Sequence, residues 1–257
     1  MLRRLLLATL AIGALSCSTE TGGDTPATPI VGDIKDGERI RDVSNPDGPS
    51  HARNNEQVTV RGATVIGVDN HDETRNGKSQ GTIYVQDLAS NEPFSGIALY
   101  QPAFVPGNLK VGIGDVLDFT GLYQENEGIG TAKFDPGQVL PQLATPVGTF
   151  RYEFEAPPPR VIPISDLADY KKGRKWLGML VTVENVTVGS YAADTAGRVS
   201  APLMEGTDRN LPTVTNELTE LPEAAYPAGT KIKSLTGVVT FFFKLHIAPR
   251  SAADFGK

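Results

Sequence analysis

One pattern is written twice along the chain, and this repeat limits the folds that the chain can adopt. The run WLGMLVTVENVTV at residues 176–188 matches NNEQVTVRGATV at residues 54–65. Three pairs of landmark residues stand 124, 123 and 116 positions apart: Asp42 and Asp166, Val58 and Val181, and Gly121 and Gly237. Such nearly constant separations indicate a duplicated unit with a shorter middle in its second copy. Each copy must therefore bury its own core in roughly 110 residues, a size at which single domains fold.

Alternation of apolar and polar residues predicts five strands in each copy. In the first copy they fall near residues 57–68, 81–87, 95–101, 114–124 and either 129–134 or 138–143. In the second copy they fall near residues 178–190, 197–205, 211–216, 230–242 and 244–249. Five strands, interrupted after the third by an irregular piece in which we expect a capping helix, match the Greek-key barrel called the OB-fold. We therefore predict a mainly β chain of two tandem five-stranded OB-like barrels, at residues 34–155 and 156–257.

The junction between the two copies carries a proline spacer and a helix signal. The spacer is APPPR at residues 156–160, and such runs adopt stiff polyproline conformations. The following PISDLADYKKG predicts a short helix, with Ser165 as its N-cap and Gly173 at its end. Leu167 and Tyr170 are expected to share one face of that helix.

The first 33 residues have the composition of an export signal and a tether. MLRRLLLATLAIGALSC combines two arginines, an apolar run and a small residue before the only cysteine, Cys17. This resembles the lipobox of bacterial lipoproteins, which implies a signal peptide at residues 1–16 and acylation of Cys17; an ordinary signal peptide is the alternative. Residues 17–33, rich in Ser, Thr, Gly and Pro, predict a disordered tether. We expect a lipoprotein of the bacterial cell envelope, attached to a membrane through Cys17, and Ser18 resembles the sorting residue of outer-membrane lipoproteins.

Charge and motif content narrow the classes of function. The formal net charge of −6 disfavours nucleic acid as a partner, because an acidic surface repels phosphates. The three histidines, His51, His71 and His246, are spread along the chain and are expected to be solvent-facing or on edge strands. We find no Gly-x-Ser-x-Gly elbow and no complete phosphate-binding loop. The chain is therefore expected to be non-enzymatic.

The segment VDNHDETRNGKSQG at residues 68–81 imitates the first half of a calcium-binding loop. Its candidate ligands are Asp69, Asp72, Thr74 and Asn76. Hard cations prefer such oxygen ligands, but Ile83 stands where a bidentate glutamate would complete the loop. The alternative is a solvated hairpin loop around the Asn-Gly turn.

In OB-folds the second and third strands border the ligand groove. Tyr84 and Gln86 share one face of the second predicted strand, and Tyr100 belongs to the third, so aromatic stacking on a sugar or a base is one interpretation. The alternative is that these side chains cover the exterior of the barrel. The corresponding strands of the second copy carry no aromatic residue, so we expect that copy to be structural. Phe241, Phe242 and Phe243 are expected to pack in the core and between the barrels.

The repeated run also carries a family resemblance. WLGMLVTVENVTV resembles the segment that opens the OB-type modules of large secreted bacterial nucleases, and TGVVTFFFKLHIAPRSAADF is similar to the closing strands of such modules in envelope lipoproteins. The resemblance covers roughly residues 34–255 and carries no catalytic residues. It implies a barrel scaffold and an accessory binding role, because the hydrolysis in those nucleases belongs to a separate endonuclease/exonuclease/phosphatase domain that we do not expect in this chain.

Taken together, these patterns predict a non-enzymatic, lipid-anchored binding or assembly module of the bacterial cell envelope. Envelope proteins or a glycan are the expected partners besides the membrane. Two alternatives stay open: a carbohydrate- or oligonucleotide-binding protein that uses the groove of the first barrel, and a metal-dependent phosphoesterase.

Overall fold

A computed structural model describes residues 38–256, apart from residues 73, 78–80, 89, 209 and 210. The predicted signal peptide, the lipidation of Cys17 and the tether lie outside these residues. The described residues belong to one compact unit. We refer to residues 38–155 as the first half and to residues 156–256 as the second half. No helix among the described residues is long and apolar enough to cross a membrane.

Within its described residues, the first half contains one short helix and six strands. They are α1 (Ile40–Ser44), β1 (Glu56–Val68), β2 (Ile83–Asp87), β3 (Gly96–Tyr100), β4 (Ala103–Val105), β5 (Asp115–Asn126) and β6 (Leu140–Glu153). All five predicted strands form, and the fifth follows the second of the two predicted positions. Residues 129–134 instead contain a 3-10 turn, Gly130–Ala132. In this turn the chain reverses between β5 and β6.

Hydrogen bonding joins the main strands of the first half in a ring. β1 pairs with β2 and β5, β2 with β3, and β5 with β6, all antiparallel. β3 also pairs with β6 in parallel, so each of these five strands has a neighbour on both sides. The short β4 pairs with the far end of β6.

The second half, as far as the structure describes it, contains one short helix and eight strands. They are β7 (Arg160–Val161), α2 (Tyr170–Gly173), β8 (Leu180–Val188), β9 (Ala192–Ala193), β10 (Val199–Met204), β11 (Thr213–Thr215), β12 (Lys231–Phe242), β13 (Lys244–Ala248) and β14 (Phe255–Gly256). Five of these strands form a closed barrel in the order β8–β10–β11–β13–β12, which closes where β12 pairs with β8. As in the first half, the third and fifth strands, β11 and β13, are parallel. The chain is therefore mainly β.

The landmark residues of the repeat meet in the same way in both halves. Val58 pairs with Gly121, and Val181 pairs with Gly237. A Cβ atom on Gly121 would lie 2.8 Å from the Pro146 side chain, and one on Gly237 would lie 2.7 Å from the carbonyl oxygen of residue 248. Both positions need glycine because a neighbouring strand approaches the backbone closely.

The expected capping helix between the third and fourth strands is wrong for the described residues. Residues 101–114 contain β4 and turns, and residues 216–230 contain only bends and turns. Prolines interrupt both segments and remove the N–H groups that a helix needs. Helical segments instead precede β1 in the first half and β8 in the second: α1 in the first, and in the second α2 between the 3-10 turns Ile164–Leu167 and Arg174–Trp176.

The predicted junction helix forms, but with a different N-cap. Ser165 lies inside the 3-10 turn, and Asp169 caps α2 by accepting a hydrogen bond from the backbone N–H of Lys172 at 3.1 Å. Gly173 is the last helical residue, as predicted. Leu167 and Tyr170 both pack on the hydrophobic core of the second half. The helix therefore begins four residues later than predicted, but it has the predicted end and apolar contacts.

Three hydrophobic clusters hold the unit together. Each half has its own core inside its strands. A third cluster lies between the halves, and its buried residues are Ile66, Tyr84, Ala98, Leu180, Leu218, Val238 and Ala248. In addition, Phe134 from the turn region before β6 belongs to the core of the second half. The two halves are therefore packed through apolar surface that both contribute.

The backbones of the two halves also touch directly. A Cβ atom on Gly96 would lie 2.4 Å from the carbonyl carbon of Gly178. Next to this contact, the N–H of Phe94 donates to the carbonyl of Lys175 at 2.7 Å. Only a residue without a side chain allows such an approach.

Candidate functional site

The structure separates the three predicted groove residues into two buried side chains and one exposed side chain. Tyr84 is buried between the halves, where its hydroxyl donates to the Glu217 carboxylate. Gln86 is fully buried; its amide N–H₂ donates to the carbonyl of Ser90, and its amide oxygen accepts from the N–H of Leu180 at 2.9 Å. The amide of Gln86 therefore links β2 to β8. Tyr100, at the end of β3, is 48 % exposed.

Tyr84 and Tyr100 line one cleft, and the second half lines it as well. The cleft has a volume of about 310 Å³. Its other lining residues include Gln142 from β6 and, from the second half, Arg198, Phe242 and His246. Sequence reasoning expected a groove in the first barrel alone, whereas this cleft is composite. The cleft forms because the two halves pack together. Local sequence patterns do not predict this packing.

The cleft continues into a second, wider groove, which we call the side groove. The side groove has a volume of about 640 Å³ and also lies between the two halves. Both concavities are lined by Tyr100, Asn126, Leu140, Gln142, Phe241 and Phe242. The shared lining makes them one continuous site, of a size typical of ligand-binding pockets.

Three primary amides form a row along the side groove, which we call the amide ladder. The amide N–H₂ of Gln142 donates to the amide oxygen of Gln124 at 3.1 Å. The amide N–H₂ of Gln124 in turn donates to the side-chain oxygen of Asn55 at 2.9 Å. Gln124 and Gln142 are direct cross-strand partners on β5 and β6. Strand register therefore places these amides in line.

The exposed aromatic residues of the second half lie at the hairpin between β12 and β13. Phe242 and Phe243 are 47 % and 45 % exposed, and their ring centroids are 4.7 Å apart. Phe241 is buried in the core of the second half and meets Phe134 edge-on at 4.9 Å. Core packing is thus confirmed for Phe241, but it is wrong for the exposed rings of Phe242 and Phe243. The reason is local: Phe243 has a φ of 61° and forms the turn, which no alternating pattern reveals. Packing between the halves is confirmed for Phe241 and Phe243, whose rings both contact Phe134 of the first half.

Ionised groups around the site are mostly acidic. Asp194 and Glu217 line the cleft, and Glu125 and Glu127 line the side groove. Glu125 forms an ion pair with Arg174, and its carboxylate lies 3.7 Å from the Nε2 of His51. The cation in the cleft lining, Arg198, lies over the Phe242 ring at 5.6 Å. The field of the site therefore does not favour a polyanionic ligand.

The histidines lie in separate environments. The Nδ1 of His246 is hydrogen-bonded to the Thr213 hydroxyl, and burial lowers the pKa of His246 to about 4. His51 is hydrogen-bonded to the carbonyl of Val43 at 2.9 Å, and His71 lies near Asp72 in an exposed loop. His246 is on β13 inside the closed barrel rather than on an edge strand, so that expectation is wrong for it. At neutral pH its imidazole is uncharged.

The candidate calcium ligands fall into two environments. Asp69 is fully buried, whereas Asp72, Thr74 and Asn76 lie in the loop after it. The Asp72 carboxylate accepts from the backbone N–H groups of Asn76 at 3.0 Å and Gly77 at 2.6 Å, which closes the loop on itself. Among the residues that the structure describes, no three His, Cys, Asp or Glu side chains are grouped as a metal site. Calcium binding by these residues stays a prediction.

The chain matches no known protein-family model and no characterised protein sequence. The resemblance to the OB-type modules of secreted nucleases therefore stays a prediction. Functional inference rests on the site itself, which offers aromatic rings, amides and a few carboxylates in one concavity between the halves.

Proposed function

We propose that this protein is a non-enzymatic, lipid-anchored binding module of the bacterial cell envelope, built from two tandem OB-like barrels. The ring of pairings in the first half supports the second barrel of this proposal. It has the same strand order as the closed barrel of the second half and the same parallel pairing between the third and fifth strands. That order fits the Greek-key barrel of OB-folds.

The ligand site in this proposal is the cleft with its side groove. The observation that carries it is the meeting of two half-exposed aromatic side chains, Tyr100 and Phe242, from different halves in one concave site. Soluble proteins seldom leave aromatic rings exposed in a concavity unless they contact a ligand or a partner. A carbohydrate or an oligonucleotide are the ligand classes that stack on such rings.

The hydrogen bonds and ion pairs within the site favour binding over catalysis. His246 is held by Thr213, and Glu125 is held by Arg174. General acid–base catalysis needs such groups to face the substrate with a suitable pKa, whereas the pKa of His246 is lowered to about 4. These groups support the fold of the site, and no contact of theirs favours the phosphoesterase alternative.

The envelope location rests on the N-terminal residues. The apolar run and Ser16–Cys17 support cleavage and acylation, and a tether of residues 17–33 would hold the barrels away from the membrane surface, most simply the outer membrane. Labelling of the expressing bacterium with radioactive palmitate tests this directly. The full-length chain is expected to take up label, and its Cys17→Ala variant is not. Equal labelling of both chains, or of neither, contradicts the anchor.

A thermal-shift screen of the full-length chain in detergent tests the ligand site. The panel contains neutral oligosaccharides, the single-stranded oligonucleotide decathymidylate and calcium chloride. At least one compound is expected to raise the Tm of the native chain, because a ligand that prefers the folded state stabilises it. The same compound is expected to leave the Tm of the Tyr100→Ala/Phe242→Ala variant unchanged. A panel without any effect contradicts the ligand site and favours an assembly module that binds envelope proteins.

A further inference from the structure

We propose that the continuous site formed by the cleft and the side groove binds a neutral oligosaccharide chain. This inference rests on the proposed function and specifies its ligand. The site combines aromatic ring faces with side-chain amides. A pyranose ring presents an apolar C–H face and a rim of hydroxyl groups that donate and accept hydrogen bonds. Tyr100 and Phe242 offer surfaces for the first, and the amide ladder Asn55–Gln124–Gln142 offers partners for the second.

The amide ladder keeps hydrogen-bonding capacity after its internal bonds are counted. A primary amide has two N–H donors and two lone pairs on its oxygen. Gln124 uses one donor and one lone pair in the ladder, Gln142 uses one donor, and Asn55 uses one lone pair. Each amide can therefore both fix its neighbour and meet a hydroxyl, which gives a row of oriented donors and acceptors along the side groove.

Charge selects among ligands that stack on aromatic rings. Asp194, Glu125 and Glu127 border the continuous site. Arg198 lies over Phe242 and close to Asp194, with 3.9 Å between charged atoms. Glu125 and Glu127 are likewise paired, with Arg174 and Lys133. These cations are already engaged by carboxylates, so they add little attraction for the phosphates of an oligonucleotide, whose affinity depends on neutralised phosphates. A neutral glycan needs no such cation.

Backbone strain lies beside the same groups. Asn55, Gln101 and Phe243 have φ values of 67°, 51° and 61°. Asn55 is part of the ladder, Gln101 follows Tyr100, and Phe243 follows Phe242. Non-glycine residues seldom adopt this region, and those that do concentrate at binding sites. The strain here orients the residues that line the continuous site.

Direct titration of the full-length chain in detergent tests the inference. The probes are hexasaccharides and disaccharides of β-1,4-linked N-acetylglucosamine, β-1,4-linked glucose and α-1,4-linked glucose, together with decathymidylate and a decapeptide library. At least one hexasaccharide is expected to bind saturably, and its disaccharide to bind about tenfold more weakly because it cannot span both concavities. Tyr100→Ala and Phe242→Ala are each expected to weaken binding about tenfold, and Gln124→Ala to weaken it as well.

Phe150→Ala and Tyr152→Ala are the matched controls. Phe150 on β6 is 39 % exposed and lies outside both concavities, as does Tyr152. Both controls are expected to bind as the native chain does. Hexasaccharide binding that Tyr100→Ala and Phe242→Ala leave unchanged overturns the inference.

The remaining outcomes separate this inference from the proposed function. Decathymidylate or peptide binding that depends on Tyr100 and Phe242, with inert hexasaccharides, overturns the glycan ligand but leaves the ligand site in place. If no probe binds in a manner that depends on these two rings, both proposals fail. Circular dichroism of each variant confirms that a lost affinity is not a lost fold.

Discussion

The two halves of this protein share a strand order but differ in the segments that join their strands. In the first half, residues 127–139 connect β5 to β6 and supply Ile129 and Phe134 to the side groove. In the second half, the equivalent connection between β12 and β13 is Phe243 alone. The long connection and the one-residue hairpin meet, and Phe134 and Phe243 are in edge contact at 5.7 Å. The repeated scaffold fixes the strands, while the unequal connections build the site.

The largest effect is expected where the halves touch. Gly96→Ala places a methyl group 2.4 Å from the backbone of Gly178. Neither backbone segment can move aside without disturbing the strand beside it. We expect this substitution to lower the free energy of unfolding by about 3 kcal/mol, as overpacking does. Urea denaturation followed by circular dichroism measures it. Gly107→Ala is the control, because no atom lies within 4 Å of its added Cβ. Equal midpoints for both variants would show that the halves separate easily.

A second pair of substitutions tests whether the two halves are packed equally tightly at equivalent positions. Gly121→Ala and Gly237→Ala occupy equivalent positions, with added Cβ atoms 2.8 Å from Pro146 and 2.7 Å from residue 248. Each is expected to cost about 2 kcal/mol of unfolding free energy, measured by urea titration. Tolerance at one position and not at the other would show that the repeat has diverged in its packing as well as in its connections.

Gln86 tests the polar link between the halves. Gln86→Ala removes the acceptor of the Leu180 N–H, which then stays buried without its side-chain partner. Such a change is expected to destabilise the chain by about 1.5 kcal/mol. Thermal unfolding followed by circular dichroism measures the loss. Gln57→Ala, at an exposed position of β1, is expected to change the free energy of unfolding by less than about 0.5 kcal/mol. If the two glutamines behave alike, the link contributes nothing to stability.

The halves are also expected to respond to pH in opposite directions. Asp87, which accepts hydrogen bonds from the N–H groups of Ile40 and Arg41 in α1, is buried, and desolvation raises its pKa from 3.8 to about 7. Its contribution to stability is therefore complete below pH 3.8 and is lost as the pH rises through 7. Burial lowers the pKa of His246 from 6.5 to about 4, so its contribution is present above pH 6.5 and is lost as the pH falls towards 4.

Two variants separate these contributions. Between pH 4 and pH 7, Asp87→Asn is expected to remove a falling component of the unfolding free energy, and His246→Gln a rising one. Each component should amount to at least about 1 kcal/mol, since one pKa unit corresponds to about 1.4 kcal/mol. Urea titrations at several pH values measure both. Profiles parallel to that of the native chain would show that these groups titrate alike in the folded and unfolded states.

Local pattern was sufficient for much of the fold. The alternation in GTIYVQD and GIALYQ predicts β2 and β3, and the landmarks Val58, Gly121, Val181 and Gly237 predict partners that the strand register brings together. These features depend on neighbouring residues or on the repeat, and both are visible in one sequence. The analogy to OB-folds predicts capping helices that do not form, because prolines at positions 102, 106, 222 and 227 interrupt both segments.

The site was less predictable because non-local packing creates it. Tyr84 and Gln86 share one face of β2, as the alternation predicts. This face packs against the second half, so both side chains are buried. Phe242 and Phe243 look like core residues because their exposure depends on a one-residue turn with positive φ. Tyr100 is predictable as an aromatic residue of the third strand, and the structure leaves it half-exposed at the end of β3. A proline or a glycine at position 243 would have predicted the turn between β12 and β13, but the sequence has Phe243 there.

Phe134 has a consequence for how the chain can be divided. Its ring comes from the first half but fills the interior of the second, beside Phe241. If the chain is divided at residue 156, the C-terminal fragment has a cavity where Phe134 was packed. In the N-terminal fragment the Phe134 ring is exposed to solvent. Neither fragment is expected to unfold in a single cooperative transition. A mixture of the two fragments is expected to unfold more cooperatively than either fragment alone. The two halves are therefore expected to fold as one unit.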